Sequence, residues 1–219
     1  GPAAQAQLYQ PTGIALGPGG GLYIADTFNG RVRYVDASGV IRTVAGNGQT
    51  CGWTIFDPCP VMAGSSATAA SFQAVMGVEV APDGSLYVSS ANLVRMVDPQ
   101  GIIRAVAGTG TYGFSGDGGP GTMAQLATPN DLKLTSGGLL IADTANHRLR
   151  LVDLNGDIRT VAGSGSEGQS GDGFPPTQVS LNAPAWLAVA PDEMVYVNDK
   201  LMWTIRSIAP PLGQLMMGQ

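Results

Sequence analysis

The chain is poor in reactive side chains. Among its 219 residues there are one histidine, His147, and two cysteines, Cys51 and Cys59. A lone imidazole cannot build a several-histidine zinc centre, and two cysteines cannot close a four-Cys one. Cations are scarce too: two lysines and nine arginines face three glutamates and thirteen aspartates, leaving a formal net charge of −5. Binding a phosphate backbone requires a basic surface, so nucleic acid is not expected as a partner. No apolar run approaches the ~18 residues of a membrane-spanning helix, so no membrane insertion is expected. No stretch carries apolar residues at helical spacing over several turns, and no glycine-rich loop leads from a strand into a helix to cradle phosphate.

Glycine and proline are abundant: 32 and 15 residues, about a fifth of the chain, against an apolar share of 44%. That is heavy punctuation, yet it stays below the roughly 25–30% that marks disorder. The length suits one all-β domain. Four segments overlay one another, opening at Leu8, Phe72, Leu126 and Leu181, at intervals of 64, 54 and 55 residues. Each holds a short alternating run (Ile14-Ala15-Leu16, Val78-Glu79-Val80, Leu132-Lys133-Leu134, Leu187-Ala188-Val189), a turn, and a second run such as Leu86-Tyr87-Val88-Ser89. A third run such as Arg31 to Val35 then leads through D-x-x-G turns (Asp36 to Gly39, Asp98 to Gly101, Asp153 to Gly156) to a fourth. Short β-branched runs between hairpin turns are strands. Four per repeat predict the blades of an all-β propeller, each too thin to bury both faces without a neighbour. The blades fall at about 8–46, 72–108, 126–163 and 181–217, with an inserted linker over 48–70.

The segments Ala25-Asp26-Thr27-Phe28-Asn29-Gly30-Arg31-Val32-Arg33 and Ala142-Asp143-Thr144-Ala145-Asn146-His147-Arg148-Leu149-Arg150 resemble the NHL repeat. The Val-Ala-Gly endings and the Ser-Gly-Asp-Gly linkers are similar to those of bacterial and teneurin-like members of that family. The resemblance implies a β-propeller, usually of about six blades. Within the motif, the Asp closing the second strand and the Arg opening the third are expected to bond to turn amides and to each other. In the second repeat both disappear together, from a turn two residues shorter, which points to a structural use. Gly1 to Leu8 also overlays Gly119 to Leu126, the middle of a linker, so four blades of a larger ring are expected rather than a closed four-bladed one. Two copies forming an eight-bladed ring are a third arrangement.

Cys51 and Cys59 enclose a short loop in the inserted linker and are expected to form a disulfide. The alternative is two free thiols, compatible with the cytoplasm; the bond, if it forms, implies an oxidising compartment, whether extracellular, periplasmic or organelle-lumenal. Asp117 and Asp172 stand singly in their linkers, too few for a calcium site, and no cofactor is expected. Trp53, Phe56, Tyr112 and Phe114 lie on linkers, where they either anchor a partner or plug the grooves between blades. On the innermost strands, which line a propeller's channel, Glu79 and Lys133 occupy equivalent positions of adjacent blades and are expected to form an ion pair. Asp131 and Trp186 replace Gly13 and Gly77 at the strand entrance and give the channel mouth a polar and aromatic rim. His147 has Gly30 and Trp203 as counterparts and reads as a surface residue. The leading expectation is a non-catalytic module that binds or spaces proteins. The alternative is an enzyme or small-molecule binder with its site at the channel mouth.

Overall fold

Strict alternation in runs such as Leu22-Tyr23-Ile24-Ala25 sends successive side chains to opposite faces of a strand, and here both faces are apolar. Such a strand is stable only in a sheet covered on two sides. The computed structural model, which describes residues 1–51, 63–168 and 173–210, meets that requirement by stacking four antiparallel sheets. Blade 1 runs β1 (Ile14–Leu16), β2 (Leu22–Asp26), β3 (Arg31–Val35) and β4 (Ile41–Ala45). Blade 2 runs β5 (Val75–Val80), β6 (Leu86–Ser90), β7 (Leu93–Val97) and β8 (Ile103–Ala107). A two-residue strand, β9 (Gly119–Pro120), precedes blade 3 and joins its outer edge. Blade 3 itself is β10 (Pro129–Thr135), β11 (Gly138–Asp143), β12 (Arg148–Asp153) and β13 (Asp157–Ala162). Blade 4 is β14 (Pro184–Val189), β15 (Val195–Asp199) and β16 (Thr204–Ile208); its expected fourth strand lies outside the described residues.

Each D-x-x-G turn is held by its own aspartate. Asp36 Oδ1 accepts the amides of Ser38 and Val40, Asp98 Oδ1 those of Gln100 and Ile102, and Asp153 Oδ1 those of Asn155 and Asp157. Linkers run along the outer edge of the blade they lead into. Pro2 bridges Val40, Ser66 bridges Ile102, and Pro120 pairs with Asp157, so residues 1–6 sit on blade 1 as residues 119–124 sit on blade 3.

The core consists of three slabs, one at each joint between successive blades. The back face of blade 2 (Val78, Leu86, Val88, Val97, Ile103) packs on the front of blade 1 (Ala25, Val32, Ala45). Leu132, Leu139, Ile141, Val152 and Ile158 of blade 3 pack on Val94 and Ala107 of blade 2. Leu187, Val195, Val197 and Ile208 of blade 4 pack on Ala142, Leu149 and Ala162 of blade 3. A closed ring of four blades would have four such joints; among the described residues there are three. Among the described residues the two remaining faces are therefore open, with Ile14 65% and Leu16 74% exposed on the back of blade 1, and Ile205 74% exposed on the front of blade 4. No helix among the described residues is long and apolar enough to cross a membrane.

Candidate functional site

The inner strands converge where β5, β10 and β14 lie side by side. Backbones approach so closely that a Cβ on Gly13 would meet the Met76 carbonyl oxygen at 2.6 Å, and one on Gly77 would collide with that of Asn130. Hydroxyls of small side chains stitch the same seams: Thr12 donates to Met76 O at 2.7 Å, Ser89 to Asn130 O at 2.8 Å and Thr144 to Pro184 O at 2.7 Å. In this setting the Lys133 ammonium lies 3.3 Å from Glu79 Oε2 of the neighbouring blade and 3.3 Å from Asp131 Oδ1. It also donates to Leu132 O at 2.9 Å. Asp131 Oδ2 accepts the Leu187 amide of blade 4 at 2.9 Å, and Glu79 Oε1 accepts that of Leu134. One lysine thus links carboxylates that between them touch three blades. Every charged atom of the cluster is engaged within the protein, which makes it a pin across two joints. Trp186, next in sequence to the Leu187 amide that Asp131 accepts, is 39% exposed.

The second arrangement is the motif turn. Asp26 and Asp143 are fully buried and accept the amides of Tyr9 and Ala127 at 2.8 Å, while Asn29 and Asn146 donate to them across the turn. The arginine that meets each carboxylate is the second one, not the expected first. Arg33 reaches Asp26 at 3.7 Å and Arg150 reaches Asp143 at 3.3 Å. Arg31 and Arg148 turn instead to the carbonyls of Asn47 and Ser164, where the chain leaves the blade. Both arginines lie on the same face of the third strand; the first, directly across from the Asp in the ladder, is taken up by the carbonyls where the chain leaves the blade, which leaves the carboxylate to the second. The second Arg also secures the linker before its own blade, since Arg95, Arg150 and Arg206 donate to the carbonyls of Ser71, Gln125 and Ser180. The sequence carried a signal for this, because all four repeats keep the second Arg and only two keep the first. Burial pushes the Asp143 carboxyl up to about 6, against the pull of the Ala127 amide, Asn146 and Arg150.

Phe114 stacks under two guanidiniums, Arg148 at 3.8 Å and Arg150 at 4.8 Å, and Tyr112 is bridged to Leu126. The Phe114 ring therefore fastens its linker to blade 3, while Tyr112 is held through its backbone. Asp117 spends its oxygens on Arg150 at 2.7 Å and Thr160 at 2.7 Å. Trp53, Phe56, Cys59 and Asp172 lie outside the described residues; Cys51 lies within them, half-buried. The structure thus brings Glu79, Lys133 and Asp131 into contact and leaves Trp186 partly exposed on β14. Tyr112 and Phe114 belong to a separate network. His147 is not the plain surface residue expected: it is half-buried, and its Nδ1 accepts the Ala183 amide of the next blade at 3.2 Å.

The NHL-repeat family model matches residues 8–33, which span the Asp26 turn just described. Teneurin-3 of Danio rerio is 30% identical over 240 residues, 97% of this chain, and the chain spans 9% of that relative's length. A Bacteroides thetaiotaomicron protein of unknown function superposes with a TM-score of 0.69 at 20% identity, over 92% of this chain and 47% of the other. The chain belongs to the NHL-repeat β-propeller family. A chain of the nidogen/laminin complex shares the fold at 16% identity, with a TM-score of 0.60 over 94% of this chain and 59% of its own. Within this NHL propeller the motif is a staple, binding the second strand, the third strand and the incoming linker at one buried carboxylate.

Proposed function

We propose that the chain is a non-catalytic, protein-binding part of an NHL propeller that works outside the cytosol, with its two open blade faces covered by further blades. The carrying observation is that four blades make three joints among the described residues. The back of blade 1 offers Ile14 and Leu16, as the backs of blades 2 to 4 offer the aliphatic residues that rest on a preceding blade. The front of blade 4 offers Tyr196 and Ile205 at positions that receive the next blade elsewhere, with Trp203 91% exposed at its edge. Apolar surfaces of this kind mark places where protein is bound. The covering blades come from more of the same polypeptide or from a second copy. A propeller of this fold within the nidogen/laminin complex supports the protein-binding reading, and the proposed Cys51–Cys59 disulfide supports an oxidising compartment. The channel-mouth alternative finds no support in the cluster geometry, since Glu79, Lys133 and Asp131 satisfy one another.

Light scattering on the isolated chain tests the reading. Self-association above the mass of the 22.4 kDa chain is expected, relieved by Ile14→Asp combined with Ile205→Asp. A wild-type chain that stays a monodisperse monomer at high concentration would overturn it.

A further inference from the structure

Every blade begins with a residue held at positive φ: Gln10 at 47°, Ala74 at 45°, Thr128 at 46° and Ala183 at 57°. None is glycine, so each is a strained position that its surroundings must hold. Two of the four are gripped by a side chain from the motif turn of the preceding blade. Asn92 Oδ1 accepts the Thr128 amide at 3.1 Å across the joint of blades 2 and 3. His147 Nδ1 accepts the Ala183 amide at 3.2 Å across the joint of blades 3 and 4. In blade 1 the counterpart of His147 is Gly30, which has no side chain to offer. The two latches have the same geometry but different chemistry, because an amide oxygen does not titrate near neutrality and an imidazole does.

From this pairing we infer that His147 is a proton-sensitive latch, holding blade 4 to blade 3 when neutral and releasing the Ala183 amide when protonated. A ring nitrogen that accepts an N–H must be unprotonated, so the hydrogen of the neutral ring sits on Nε2. Protonation at Nδ1 turns the acceptor into a donor pointed at another donor, and the bond is lost. The charged groups around the ring assist the exchange. Asp199, at the end of β15, is buried and interacts electrostatically with the imidazole. Its Oδ1 accepts the Asn182 amide at 2.6 Å, while Oδ2 has no hydrogen-bond partner among the described residues and so offers a charged ring a destination. Glu167 of the linker, reached by Asn182 Nδ2 at 3.5 Å, adds a second negative charge. Arg148 and Lys200 flank the site in sequence and Arg206 faces it from β16; these three cations oppose charging, and Asp143 closes the turn on its own blade.

The test is amide hydrogen exchange of the full chain at pH 7.5 and 5.5, corrected for the intrinsic pH dependence, read at Ala183 and Thr128. Protection at Ala183 is expected to fall at least ten-fold at the lower pH, while Thr128, held by Asn92, changes less than two-fold. In His147→Asn, which supplies a non-titrating acceptor in a residue tolerant of positive φ, Ala183 should become as flat as Thr128. A smaller change at Ala183, a parallel change at Thr128, or a drop that persists in His147→Asn would each overturn the inference.

Discussion

Blades 2 and 3 lie side by side with the same strand order, yet they close their second hairpin by different means. Blade 3 buries a carboxylate, Asp143, among the Ala127 amide, Asn146 and Arg150. Blade 2 places Ser90 there and reverses the polarity of the bond, its hydroxyl donating to the Gln73 carbonyl at 2.6 Å. Arg95 remains, fully buried, stacked 4.9 Å from the Phe72 ring and bonded to Ser71 O at 2.9 Å; burial pulls its pKa down to about 10. The shared requirement is that the incoming linker be fixed to the hairpin, and either a buried ion pair or a small hydroxyl meets it. A group that can be replaced in this way is acting as structure.

The contrast can be broken most directly by truncation. Asp143→Ala leaves the buried Ala127 amide and one arm of the Arg150 guanidinium without their acceptor, while Asp117 still holds the other arm, and should cost about 2–3 kcal/mol, whereas Ser90→Ala removes one neutral bond at about 1 kcal/mol. Urea unfolding of both variants measures the difference; equal losses would mean that the carboxylate is no more than a spacer. The next effect is on pH dependence. With a folded pKa of about 6 against an ordinary value near 3.8, Asp143 binds its proton more tightly in the folded state. Its contribution to stability is therefore fully present below pH ~4 and is lost as pH rises through about 6. Asp143→Asn should remove that part of the stability–pH profile, at most about 1.4 kcal/mol per pH unit, and Ser90→Ala should leave the profile unchanged. The smallest effect is at Phe114, where Phe114→Leu forfeits the stacking on Arg148 and Arg150 and should cost about 1 kcal/mol by the same measurement.

Repetition made much of this molecule legible. Four copies of one pattern identified the strands, the turns and the blade count, and placing Glu79 and Lys133 at equivalent positions of adjacent blades was enough to expect their contact. The choice of arginine was harder to see, since Arg31 and Arg33 share one face of β3, and only the folded position of the Asn47 carbonyl, which takes Arg31, separates them. The bond from His147 to Ala183 was not legible, because it crosses a joint between residues 36 apart and depends on two strained backbones meeting.

The sequence by itself determined that this chain is built of stacked four-stranded units, because period-two apolar runs on both faces admit only sheets covered on two sides. It also determined that histidine- or cysteine-rich metal chemistry is absent, because the side chains for it are missing. Tertiary structure alone decided which arginine meets the buried aspartate, that Phe114 is fastened to blade 3, and that the described blades share three joints and leave two faces open. Those outcomes depend on how rigid sheets are angled and spaced against one another, and the distances between sheets are set only when whole blades pack.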